Sequence, residues 1–228
     1  MLTVSSLTGF GAGLAGPSAV TVSFIGSTVS TANATNYTFT NHAIGTAAGN
    51  RKVVVAVGVS GSSTQSITSM TIGGSGASEI VEQANTDNEV SCALYELAVA
   101  SGTTATIVVS GGRSANNCGV AVWAVYGAEA SASDTAADNA AASAADPTLS
   151  IDCPINGAII ASSHTNNGGS TFTWSGVTEN YDETIEATRT HSGASDAFDT
   201  AQSGLDVSAA WSNSLSKGAS IAASWGLA

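Results

Sequence analysis

Basic residues are almost missing from this chain: five Lys and Arg stand against seventeen Asp and Glu in 228 residues, a formal net charge of −12. Nucleic acids and anionic membrane surfaces are held by clustered cations that neutralise phosphates. Here Arg51-Lys52 is the single adjacent basic pair, and Arg113, Arg189 and Lys217 are isolated. Neither partner is expected. Long apolar runs are missing too, none approaching the roughly 18 residues of a membrane-spanning helix. No Lys or Arg precedes Arg51, so the positive start of a secretory signal is lacking and none is expected. Cysteines number three, Cys92, Cys118 and Cys153, widely spaced and each in a strand-like segment. They read as buried thiols, with one disulfide left open.

Support for catalytic or metal chemistry is equally thin. His42, His164 and His191 form no HxH, HxxxH or HExxH pair, and there is no GxSxG nucleophile turn. Carboxylates gather around Tyr181 as Glu179, Asp182, Glu183 and Glu186. Adjacent residues of a strand point to opposite faces, so Asp182 and Glu183 cannot be the facing acid pair of a glycosidase. They read as a solvated acidic edge that discourages pairing between strands of different molecules. Oxygen-rich stretches at 85–89 (NTDNE) and 134–146 could offer ligands to calcium, but without the DxDxDG spacing. No cofactor is expected beyond that open question of calcium, and no enzymatic activity.

What the chain does have is small side chains: 125 of its residues are Ala, Ser, Thr or Gly. Such residues let backbones approach closely and favour extended structure and turns. The apolar fraction is 43% but aromatics reach only 6%, so the core must be filled by Val, Ile, Leu and Ala around a few large anchors. Residues 1–19 carry Gly9, Gly11, Gly13, Gly16 and Pro17, a spacing that breaks helix and strand alike. An extended N-terminal arm is expected there, with Leu7, Phe10 and Leu14 as its adhesive points. From residue 20 to 228, short apolar segments recur between Gly, Ser, Asn and Asp. The strongest is KVVVAVGV (52–59), a run buried on both sides or nearly so, and another is GVAVWAVY (119–126). The spacing fits the strands of a sandwich or barrel, and one all-β domain of 12 or more strands, a single antiparallel β-sandwich, is expected. No internal period repeats. The stretch 128–147 is Ala-rich with four carboxylates and no large side chain, and is expected to be a long surface loop.

Four tryptophans supply most of the aromatic area. Trp123 lies in an apolar strand and reads as core, and Trp225 as an anchor for the last strand. Trp174 precedes Ser175-Gly176 in a hairpin-like turn. It reads either as a plug of the sandwich end or as an exposed ring stacking on a sugar, with Asn166 and Asn180 as companion amides.

The order of segments from Arg51 to Tyr126 carries a resemblance. KVVVAVGV is followed by ITSMTIGGSGASEIVE, then CALYELAVASGTTATIVVSG, then GVAVWAVYGA. This resembles a jelly-roll-like β-sandwich module of phage and gene-transfer-agent structural proteins, which also occurs in bacterial surface proteins. The resemblance spans roughly 50–225 and carries no catalytic motif. It implies a non-enzymatic virion protein assembled in the host cytoplasm, a head decoration or a component of a head spike or fibre. Its partners would be other copies of itself and neighbouring virion proteins. The alternative it implies is a glycan-binding adhesin of a tail fibre or bacterial surface, with a host-surface glycan as partner at the cell surface or outside the cell.

Overall fold

The computed structural model describes residues 19–85, 87, 89–140, 146–166, 171–186, 189–212 and 217–228. The expected adhesive points Leu7, Phe10 and Leu14 lie outside them. The described residues form no α-helix; their regular structure is antiparallel strand. In chain order the strands are β1 (Thr21–Ser30), β2 (Ala34–Ala43), β3 (Arg51–Ser60), β4 (Ile67–Ile72), β5 (Ser75–Gly76), β6 (Ser78–Ala84), β7 (Val90–Ala98), β8 (Thr104–Ala115) and β9 (Asn117–Tyr126). There follow β10 (Asp134–Ala140), β11 (Thr148–Cys153), β12 (Gly157–Thr165), β13 (Phe172–Ser175), β14 (Thr178–Ile185), β15 (Arg189–Phe198), β16 (Gln202–Trp211) and β17 (Gly218–Trp225).

The first nine strands build a five-stranded sheet, β1-β9-β3-β7-β6, and a smaller one, β2-β8-β4-β5. The last eight build β10-β17-β12-β15-β14 and β11-β16-β13. With the two-residue β5 set aside, the two halves have one topology. In each, the first strand pairs with the eighth, the second with the seventh and the third with the sixth, the nesting of a jelly roll. In each, the fifth strand leaves the small sheet and joins the sixth on the large one. The chain thus repeats one topology twice without a repeat visible in its residues.

Three apolar layers separate the four sheets. Val53, Val55, Val57, Met70, Ile107 and Val120 fill the first half, and Leu149, Ile159, Trp174, Val207 and Trp211 fill the second. Between the two five-stranded sheets lies a third layer that includes Val54, Leu94, Trp123, Ile160, Ile221 and Trp225. The all-β, jelly-roll-like expectation holds, but the number of layers differs from a single sandwich. The reason is burial: every residue of β3, β12 and β17 is buried, and a strand covered on both faces must sit in an inner sheet. The Ala-rich stretch also differs from its expected loop. Asp134 to Ala140 is β10, paired with β17 from Asp134↔Ser224 to Ala140↔Gly218. Its ladder is made by backbone groups, which small side chains leave unhindered and which no apolar pattern reports.

The halves are joined at their ends as well as their faces. Ala128 and Leu227, each just past the last strand of its half, form an antiparallel bridge. Ala228 N–H donates to Gly127 O and Glu129 N–H to Gly226 O, both at 2.9 Å. Beside this bridge Lys52 Nζ lies 2.8 Å from Glu96 Oε2, and it donates to the carbonyls of Glu129 and Ala130. Glu96 also accepts Trp225 Nε1–H at 2.9 Å. One ion pair of the first half therefore holds the last strand of the second, and Trp225 is the anchor expected of it. Arg51, 1% exposed, spends its guanidinium on the carbonyls of Gly45, Val99, Ser101 and Gly102. Cys92, Cys118 and Cys153 are buried free thiols.

Close approach of the inner sheets uses Gly193 of β15, where a Cβ would meet Trp123 at 2.9 Å, and a pair of glycines in the first half. Gly58 and Gly119 are register partners across β3 and β9, and His164 and His191 are register partners across β12 and β15. A Cβ at Gly58 would meet His164 Cγ at 2.5 Å, and one at Gly119 would meet His191 Nδ1 at 2.7 Å. The glycine pair makes the hollow that the histidine pair fills. Gly58→Ala is expected to cost about 1–3 kcal/mol by overpacking. Combined with His164→Ala it should cost less than the sum of the two, because the residues touch. Gly49→Ala, where an added Cβ meets nothing within 4 Å, is the control. Urea-unfolding midpoints of the four variants check this.

Candidate functional site

The histidine pair is the centre of a polar cluster in an otherwise apolar layer. His164 and His191 are fully buried, with ring centroids 5.5 Å apart in an edge-on arrangement. Alternation along β12 turns Ser162 to the same face as His164, and Tyr181 of β14 and Cys92 of β7 close around them. Ser162 Oγ–H donates to Ser192 O at 2.9 Å. Its one proton being committed, the 3.1 Å contact with His191 Nε2 must have the imidazole N–H donating. Tyr181 OH lies 3.2 Å from the same nitrogen, and Cys92 Sγ lies 3.8 Å from Ser162 Oγ. Tyr181 stacks on Phe24 of β1, centroids 5.2 Å apart, and tilts against Trp123 of β9. Neither ring nitrogen of His164 has a hydrogen-bond partner among the described residues.

Burial sets the chemistry of these groups. It pushes the His191 imidazole down to about 3 and the Cys92 thiol up to about 12. It lowers His164 well below the usual histidine range, helped by repulsion from His191 and Arg189, and it raises Tyr181 well above the usual phenol. At neutral pH the cluster therefore holds two uncharged imidazoles, a thiol and a phenol, sealed between two sheets. Such a cluster fixes how the sheets register against one another.

The residues singled out from the sequence fall elsewhere. Trp174 is 9% exposed and packed in the second half's core, with its Nε1–H donating to Ser192 Oγ at 2.8 Å. Asn180, half-buried, accepts Trp123 Nε1–H at 2.9 Å and Ser195 Oγ–H at 2.8 Å. Asn166 follows the end of β12, where its N–H bonds to Lys217 O. Trp174 thus faces inward from the outer sheet onto the five-stranded sheet, while Asn180 faces the first half, so the three do not share a surface. The indole ring is a plug.

Three of the four acidic residues around Tyr181 are also engaged. Glu183 accepts Ser27 Oγ–H from the first half at 2.8 Å, Asp182 accepts Phe172 N–H, and Glu186 pairs with Arg189 at 2.7 Å. Of the stretches considered for calcium, Asp87 and Glu89 both reach Lys217 Nζ, at 3.4 and 2.8 Å. Asp134 and Asp138 accept the backbone N–H groups of Asp152 and Thr148. Among the described residues no group of three or more His, Cys, Asp or Glu is placed to hold a metal ion. Nor does any described helix have the length and apolarity to cross a membrane.

No family model matches the chain, and no curated protein matches it. Among solved structures, the crystal structure of PBSX exported protein XepA aligns with 90% of this chain and 86% of that one, at 9% identity. The TM-score is 0.21, too low to equate the two folds.

The histidines make stability depend on pH. Both are neutral when folded and titrate near 6.5 when unfolded, so below that value the unfolded state binds more protons. Stability is full above pH 6.5 and is lost as pH falls from there towards about 3, the folded value of His191. His191 loses stability across that window, and His164, also lowered by burial, adds to the loss in the same direction. Asp182 and Glu179, both raised by burial, oppose the trend only near the carboxylate range. Urea midpoints are therefore expected to fall between pH 7 and 5, and His191→Gln should roughly halve the slope.

Proposed function

We propose that this chain is a non-enzymatic structural component of a phage or phage-like particle. It would decorate the head or belong to a head spike or fibre, and act through contacts with its own copies and neighbouring proteins. The observation that carries the reading is where the chemistry-bearing side chains sit. His164, His191, Tyr181 and Cys92 are walled in between two five-stranded sheets, where they register two jelly rolls into one body. The surface is left to hydroxyls, small residues and carboxylates. Such a four-layer block suits a repeated building unit, and the segment order from Arg51 to Tyr126 resembles virion modules of this type.

The test is immunogold electron microscopy of purified particles from the source organism, with an antibody raised against the folded chain. Gold distributed over heads is the expected result. Gold confined to the tail tip would move the role to host recognition, and particles without gold would overturn the reading.

A further inference from the structure

The two halves differ in how their matching edge strands are held. In the second half the edge strands β10 and β11 are tied together, because Asp134 and Asp138 on β10 accept β11 backbone N–H groups at 2.8 and 3.2 Å. In the first half the matching edges are β1 and β2, and neither carries an Asp or Glu to make such a tie. Between them runs a groove of about 490 Å³ with Ile25 and Phe39 among its lining and Thr28, Thr38, Asn41 and His42 beside them. Each strand is bulged next to it, with register shifts after Phe24 and after Phe39.

Charge separates this edge from the others of comparable length. All seventeen acidic residues lie at or beyond Glu79. Among the other edge strands, β6 carries Glu79 and Glu82, β10 Asp134 and Asp138, β11 Asp152, and β14 Glu179, Asp182 and Glu183. Carboxylates on an edge repel a second acidic copy. Neither β1 nor β2 carries an acidic residue of its own, both lie at sheet edges with half-buried Val22, Ile25 and Val29 along β1, and the one carboxylate that reaches this edge, Glu183, is spent on Ser27 Oγ–H at 2.8 Å. Residues 1–18 match it in chemistry. They contain no charged side chain, and they place Leu2, Val4, Leu7, Phe10 and Leu14 among small residues. Fully extended, that length spans at most about 60 Å, enough to reach an adjacent molecule.

We propose that the β1–β2 groove is the docking site for the N-terminal segment of a second copy of this chain, laid along that edge as an extended arm. A neighbouring copy is favoured over the segment's own groove because Val20, 2% exposed, commits its N–H to Asn156 O of the second half. That bond ties the segment's exit to the far half and closes off a tight turn back onto β1. The inference rests on the assembly reading above, but it is tested on purified protein without particles.

The photoreactive residue benzoylphenylalanine is placed at position 10 in one preparation of the full chain, which is mixed with isotope-labelled chain lacking it. After irradiation, cross-linked peptides are mapped by mass spectrometry. The expected result is cross-links from probe chain to labelled peptides within residues 21–43. With Thr28→Lys and Thr38→Lys in the labelled chain their yield should fall about tenfold, the factor a 1.4 kcal/mol penalty gives. Both threonines are exposed, and an unchanged thermal melt shows that the variant folds. Cross-links only within the probe chain, to other surfaces, or not at all would overturn the proposal. Gold-free particles with intact cross-links would instead remove the virion role and leave the docking site.

Discussion

The contact between the two five-stranded sheets is what the rest of the molecule depends on. Each jelly roll by itself would leave one face of its large sheet, five strands of seven to ten residues, turned to water. Stacking the faces covers Val54, Leu94 and Trp123 on one side and Ile160, Ile221 and Trp225 on the other. Burial of such side chains is worth about 1.5–3 kcal/mol each relative to exposure. The stack works only if the sheets come close, and closeness is decided where Gly58 and Gly119 face His164 and His191 and where Gly193 faces Trp123. Backbone without a side chain on one sheet admits an imidazole from the other. The apolar layer gives the drive, and the glycine–histidine fit gives the register.

Polar groups elsewhere follow from that arrangement. The Glu96 side chain is nearly covered where the last strand of the second half crosses the first, and it needs partners there. Lys52 and the Trp225 indole provide them. The same logic keeps Ser162, Ser192 and Asn180 in the interior, because each meets an indole, a phenol or a backbone carbonyl that would otherwise lack a partner. A buried polar seam of this kind tolerates few alternative registers, since sliding one sheet by a residue would strand several of these groups at once. It also makes neutral histidines part of what holds the halves together.

Much of the fold was legible in the residues, though not its count of layers. The run 52–59 showed its burial on both faces, which is the mark of an inner strand, and it is β3. The matching strand β12 reads GAIIASSHT and β17 reads GASIAASW. There Ala and Ser occupy positions that Val takes in the first half, so the same role left a fainter pattern and the repeat went unseen. The stretch at 134–140 was mute for a related reason: a strand of Asp, Thr, Ala and Asn is held by its ladder and by two carboxylates, neither of which shows as periodicity. The candidate site was less legible still. His164 and His191 are 27 positions apart with no motif between them, and Trp174 carried the same local signature whether exposed or packed.

The sequence by itself determined the strand content, the low charge, the free thiols' apolar settings and the anchoring of Trp225. Each follows from side-chain size, branching or hydropathy within a few neighbouring positions. Which strands share a sheet, which faces meet and which polar groups are thereby sealed inside were decided only by the tertiary structure. Antiparallel pairing joins residues far apart in the chain through backbone groups that every residue carries alike. The partner of a given strand is therefore selected by the packing of whole sheets, and no local stretch of sequence contains that information.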